Sequence, residues 1–261
     1  MGLVQFLKRK KNKMLLEVKN LTKKFGSVVA ANNINFSMKK NEIIGVIGSN
    51  GAGKTTFCNM ITGYTNPDRG KIIFKGKDIT YYNIQKIKDI GIHRSFQIPQ
   101  VFNSLGLLEN IIITSLVSNK KQNSFFEEAY TENNYNQAMN LLETFSLEMF
   151  KDKIVNELPQ GARKILDIMI AIIGSPKIIL LDEPTSGIST DEKNIVMKNV
   201  ISAIKKLNVS ILFIEHDMEI IEKFSKRVVA FYNGEILGDG KSEEVLSQKD
   251  VIKYIVGGSN A

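Results

Sequence analysis

Two spacings of apolar residues alternate along this chain. Residues 15–18 and 28–38 read as strands, the second with Ile34, Phe36 and Met38 set against polar neighbours. The apolar run at 42–47 predicts a third strand, and 55–61 a helix behind it. After a turn at 65–70 come a strand over 71–74, a helix through Ile84, Ile87 and Ile90, and a strand over 92–96. From 105 to about 156 the spacing is helical, with one stripe of Leu108, Ile111, Ile112 and Leu116 and another of Ala138, Leu141, Leu142 and Phe145. The polar stretch 119–131 between them predicts a variable loop. Leu158-Pro159-Gln160-Gly161-Ala162 opens a further helix, with Ile165, Ile168, Met169 and Ile172 inward. Then follow an apolar strand at 178–181, a helix carrying Ile195, Val196, Val200, Ile201 and Ile204, and a strand at 211–214. Strands over 228–232 and 235–240 flank Asn233-Gly234, the strongest short hairpin signal, and two short helices follow over 242–247 and 250–256. Apolar strands alternating with helices describe an α/β protein with a buried, largely parallel sheet.

The third strand and the helix behind it enclose Gly48-Ser49-Asn50-Gly51-Ala52-Gly53-Lys54-Thr55-Thr56. Strand, glycine-rich loop and helix in that order are what a phosphate-binding loop requires. Glycines let the backbone turn so that successive N–H groups face one anion, and the helix adds the positive end of its dipole. Lys54 supplies a cation for the β- and γ-phosphates, and Thr55 a hydroxyl for Mg²⁺.

Given such a loop, acids and amides at the ends of other strands become candidates. Asp182 and Glu183 follow the apolar strand at 178–181, where Asp182 can orient Mg²⁺ and Glu183 can polarise an attacking water. His216 lies just past the strand at 211–214, from which an imidazole can reach a γ-phosphate, and Gln97 ends the strand at 92–96, from which an amide can reach a cation and a water. His93 has no acidic or glycine-rich neighbour and reads as structural. Phe25, at a Lys-Phe-Gly turn, either stacks on a base or caps the sheet. The helix start near Gln160 and Gly161 is another N-terminus able to face an anion. Asn119-Lys120-Lys121-Gln122 lacks the carboxylate of a guanine-reading motif and is set aside.

Composition changes this picture little. With 261 residues, 43% hydrophobic and 24% charged, the chain is an ordinary globular protein with enough apolar surface for a sizeable core. The net charge of +8 is concentrated in residues 1–24, where Lys8, Arg9, Lys10, Lys11, Lys13, Lys19, Lys23 and Lys24 face Glu17 alone. Such a tail serves an anionic membrane surface, a nucleic acid or only solvation. Cys58, the single cysteine, cannot form an intrachain disulfide, so a reducing compartment and a packed thiol are expected. Apolar stretches are too short to span a bilayer, and the N-terminus lacks a signal-peptide pattern. The expected organisation is a basic extension at 1–13 with Met14 an alternative start, one domain over 14–256 with helical residues at about 98–175, and a tail at 257–261.

Phosphate loop, Gln97, residues 158–162, Asp182-Glu183 and His216 occur in the order and approximate spacing of the ATP-binding subunits of ABC transporters, which the chain resembles over about 15–256. Phe96-Gln97, the Leu-Pro-x-Gly form at 158–161, Ile214 to Met218 and the ending over 251–255 look like the branched-chain amino acid importer ATPases of the LivG type, features that urea and short-chain amide importers share. The resemblance implies the P-loop NTPase fold of the ABC ATPase type, with an antiparallel β subdomain and a helical subdomain. It implies ATP and Mg²⁺ as cofactors, with Phe25 on adenine, residues 49–56 around the phosphates, and Thr55, Gln97 and Asp182 serving the metal. Glu183 would serve the attacking water, His216 the γ-phosphate, and Gln160 and Gly161 the ATP of a second ATPase subunit closing head-to-tail.

The implied partners are integral membrane permease subunits, met through Phe102 and Leu105, and indirectly a solute-binding protein, with no nucleic acid. The implied location is the cytoplasmic face of the inner membrane. Pro159, Ala162 and Ser189 depart from the family pattern, which usually has serine, glutamine and aspartate there. An exporter subunit, or a soluble member of the family acting on ribosomes or DNA, is the alternative.

Overall fold

The computed structural model describes residues 14–95, 101–118 and 131–257. In chain order its strands are β1 (Leu16–Phe25), β2 (Val28–Met38), β3 (Ile43–Gly48), β4 (Arg69–Phe74), β5 (Lys77–Asp78), β6 (Ile92–Arg94), β7 (Ile178–Asp182), β8 (Ser210–Ile214), β9 (Arg227–Tyr232) and β10 (Glu235–Lys241). The chain divides into two compact units, one formed by the chain up to Ile92 and again from Ser210, the other by His93–Val209.

The first unit holds two sheets. One is antiparallel in the order β2-β1-β4-β5, and the other runs β10-β9-β3-β8. β3 is parallel to both β8 and β9, with Val46 opposite Ile214 and Val229, so it is buried on both faces and reads as an unbroken apolar run. The helix Lys54–Ile61 leaves the end of β3 and buries Phe57, Cys58, Met60 and Ile61. Phe57 packs edge-on against Phe36 of β2 at 5.4 Å and, with its ring tilted, against Phe231 of β9 at 5.2 Å, so one side chain joins the helix to both sheets. Cys58 is buried, the packed thiol its neighbours predicted.

The second unit contains the helices Leu107–Ser118, Glu132–Thr144, Gln160–Ile172 and Thr190–Lys206, together with β7. Ser95, just past β6, donates its N–H to Leu180 O in β7 at 2.9 Å. His93 is buried with Nδ1 2.7 Å from Ala171 O, a structural role as expected. Two side chains differ from the periodicity. Leu107, not Leu108, is fully buried at the start of its helix, and Ile195 is 61% exposed while Val196, Met197, Val200, Ile201 and Ile204 face inward. A helical stripe covers an arc, and the outermost member of a sequence-assigned stripe falls outside it when the helix packs on one side only. The predicted loop at 119–131 lies, except for Thr131, outside the described residues.

Candidate functional site

The phosphate loop follows β3 in the first unit. Gly53 holds the turn into the helix at φ +100°, and a Cβ there would stand 2.4 Å from Ala30 O. Lys54 is buried, and its ammonium donates to Gly48 O at 2.6 Å and Ser49 O at 2.9 Å, which keeps the charge over the loop. Asn50, Gly51 and Thr55 are exposed, Ser49 and Thr56 half-buried, and Gly48 and Ala52 buried. The loop is braced from behind by the β9–β10 hairpin. Gly234 donates its N–H to Ala52 O at 3.0 Å and accepts the N–H of Asn32 at 2.8 Å. That brace was invisible in the sequence, where Asn233-Gly234 read only as a turn. Gly53→Ala combines a left-handed backbone with a clash against a carbonyl, so we expect it to cost about 2–3 kcal/mol. A thermal melt checks this.

Phe25 ends β1 opposite Val28 and is 51% exposed, with Lys23 Nζ 5.4 Å from its ring centroid. Its ring is therefore only partly used by the sheet and keeps surface for a base. His216, beyond the end of β8, is exposed, while the next residue fixes the turn: the Asp217 carboxylate accepts N–H bonds from Glu219 and Ile220 and caps the helix Met218–Phe224.

The second unit carries the acids. Asp182 ends β7 and is buried in an ion pair with Arg94 of β6. Arg94 is the neighbour of Asp182 that sequence reasoning missed, since nothing in an Ile-His-Arg strand announces which acid it meets. Because the Asp182 carboxylate is buried while Arg94 is only partly so, Arg94→Ala leaves a carboxylate without its charged partner, and we expect a loss of about 3 kcal/mol, read from denaturant unfolding. Glu183 is half-buried and holds a left-handed backbone at φ +51°, with Ser186 donating its N–H to Glu183 O at 3.1 Å. Gln97 lies outside the described residues.

The helix Gln160–Ile172 starts without a side-chain cap, because Pro159 at the N-cap has no acceptor to offer. The helix behind the phosphate loop is likewise uncapped at Gly53, whereas Thr131 and Ser189 cap the helices Glu132–Thr144 and Thr190–Lys206. Both helix starts that sequence reasoning aimed at phosphate therefore lack a side-chain cap. Gln160 is exposed, but Gly161 is buried, and a Cβ on it would approach Val196 Cγ2 to 3.0 Å, so a buried packing need also holds glycine there. Ser189, where the family pattern usually has aspartate, serves as a helix cap, accepting the Glu192 N–H.

No helix among the described residues is long and apolar enough to cross a membrane. The family model described as ABC transporter matches residues 31–186. A probable branched-chain amino acid transport ATP-binding protein LivG of Archaeoglobus fulgidus is 31% identical over 252 residues, covering 95% of this chain and 97% of its own. The high-affinity branched-chain amino acid transport ATP-binding protein BraF of Pseudomonas aeruginosa is also 31% identical, covering 93% and 98%. Among solved structures, the ADP conformation of an ATP-binding cassette of an ABC transporter matches with a TM-score of 0.82 at 29% identity, covering 93% of this chain and 98% of its own. A nucleotide-free cassette from an ABC transporter matches at 0.79 and 27%, covering 92% and 98%. With the phosphate loop, the acid-ended strand and these full-length likenesses together, the chain belongs to the ABC transporter family, as one of its ATP-hydrolysing cassettes.

Proposed function

We propose that this cassette powers uptake of branched-chain amino acids, or of a related small polar solute, through partner membrane subunits. What carries the reading is the match along 95% of this chain to an amino acid transport ATP-binding protein, with a well-formed phosphate loop inside the matched region. ATP lies with its phosphates on residues 48–56, Lys54 between the β- and γ-phosphates, and adenine against the exposed ring of Phe25. Glu183 takes a proton from the water that attacks the γ-phosphorus, ADP leaves with the bridging oxygen, and His216 bonds the departing phosphate.

The described residues hold no cluster of three or more His, Cys, Asp or Glu able to cage a metal. Mg²⁺ binds nucleotide phosphates with one or two protein carboxylates, and Asp182, buried at the end of β7, offers one. Thr55, Asp182 and Gln97 are the residues that would hold it, and it would supply charge neutralisation on the phosphate oxygens. Gln160 and the uncapped N–H groups beside it serve the ATP of a second cassette, making the working form a pair. Phe102, 54% exposed, stands on a turn held by Asn110, whose side chain bonds Phe102 N and O and Gly106 O. With Leu105 it is offered to the permease.

The test is purification of the tagged chain from detergent-solubilised cells. Integral membrane proteins should accompany it, together with solute uptake that fails when the gene is deleted. Recovery with ribosomes or DNA instead overturns the transport reading.

A further inference from the structure

The antiparallel sheet carries a groove that the nucleotide mechanism does not use. β1 is bulged at Asn20, its pairing with β2 shifting between Val18 and Leu21 and with β4 between Lys19 and Thr22. Asn20 and Asn33 both hold left-handed backbones, at φ +52° and +51°. Gly70, at φ +97°, lies so close to the bulge that a Cβ would meet Asn20 O at 2.5 Å. These bends leave a groove of about 1090 Å³, lined by Lys19, Lys24, Asn32, Asn33, Arg69 and Lys71 among others.

Its charge is one-sided. The acid lining it, Asp68, is already engaged: Oδ1 accepts from Lys23 Nζ at 2.9 Å and Oδ2 from the Lys24 N–H at 2.7 Å. These bonds hold its carboxyl below the usual range. Arg69 has no ion pair among the described residues, and Lys24 none within 4 Å. Lys19 pairs with Glu17 at 3.3 Å and Lys71 with Asp78 at 3.8 Å, both through largely exposed ammonium groups that a stronger anion can draw away. The side-chain amides of Asn20 and Asn33 make no hydrogen bond among the described residues, and they add neutral donors at the rim.

We propose that this groove is a second anion site, taking a small ligand with adjacent phosphoryl groups, and that its occupancy is felt at the phosphate loop. A guanidinium fork suits two oxygens of one phosphoryl group, and flanking ammonium groups suit its neighbours as point charges. The link to the loop is short: Asn32 in the groove wall donates its N–H to Gly234 O, and Gly234 donates to Ala52 O. The binding half of the proposal stands without the transport reading. The coupling half rests on nucleotide occupying the loop.

Calorimetry with sodium tripolyphosphate, in the presence and absence of saturating non-hydrolysable ATP, tests both halves. One equivalent should persist under saturating nucleotide, and in Arg69→Ala/Lys71→Ala its Kd should rise about ten-fold, the loss of two exposed charge contacts. Nucleotide affinity of the double variant measured alone should be unchanged, because neither side chain belongs to the loop. With tripolyphosphate present, the nucleotide Kd of the wild type should shift about two-fold or more beyond the shift seen in the double variant, where only competition at the loop remains. Complete displacement by nucleotide, or a retained equivalent indifferent to the double variant, overturns the site. Tighter, variant-sensitive binding of hexaglutamate than of tripolyphosphate reassigns the groove to an acidic peptide and overturns the phosphoryl assignment. A nucleotide Kd that responds to tripolyphosphate equally in the wild type and the double variant overturns the coupling alone.

Discussion

Glu183→Gln should bind ATP and scarcely turn it over. The substitution keeps the size and planarity of the side chain at a half-buried position, but an amide cannot accept the proton that water must lose. Removing a general base costs about 10²–10⁴ in rate, so steady-state phosphate release should fall by that factor while nucleotide Kd stays within about two-fold. Held at the unhydrolysed stage, the variant should accumulate as a nucleotide-bound pair, visible by size-exclusion chromatography with and without ATP. Turnover at the wild-type rate would remove Glu183 from the role of base.

Lys54→Ala should lose the nucleotide itself. The ammonium is buried and already directed onto the loop, so its charge is delivered to phosphate without the cost of ordering a free lysine. Truncating one partner of a buried charged contact costs about 2–5 kcal/mol, which is a loss of about 30-fold or more in affinity. Fluorescent-nucleotide titration reads that loss. A parallel melt measures the smaller cost of leaving the Gly48 and Ser49 carbonyls without this donor. Unaltered affinity would contradict the assignment of residues 48–56 to the phosphates.

Much of the fold could be read in the chain because its signals are local. The phosphate loop, the apolar run of β3 and the acid-ended β7 each announce themselves within ten residues, and the structure forms each as an element. What stayed hidden depends on partners distant in sequence. The Arg94–Asp182 pair joins residues 88 positions apart, and Gly234 meets Ala52 only once β9 lies beside β3. Asn110 escaped for another reason. It is fully buried within an otherwise apolar stripe, where a period of apolar residues passes over a polar one, yet its amide is spent on the backbone of the turn bearing Phe102. Ser189 read as a departure from the family pattern because the sequence displays the missing carboxylate and not the cap that the hydroxyl provides.

The backbone of Glu183 bears on how a library of variants at this residue would sort. In the left-handed region glycine, asparagine and aspartate are at ease, whereas valine, isoleucine and threonine are strained. Screened for cellular abundance, the first group should match or exceed the parent and the second should be depleted. Screened for transport-dependent growth, all of them that lack a carboxylate should fail together. This residue is therefore a place where maps of protein level and maps of fitness part company, and where a predictor trained on stability alone would score its best-tolerated variants as harmless.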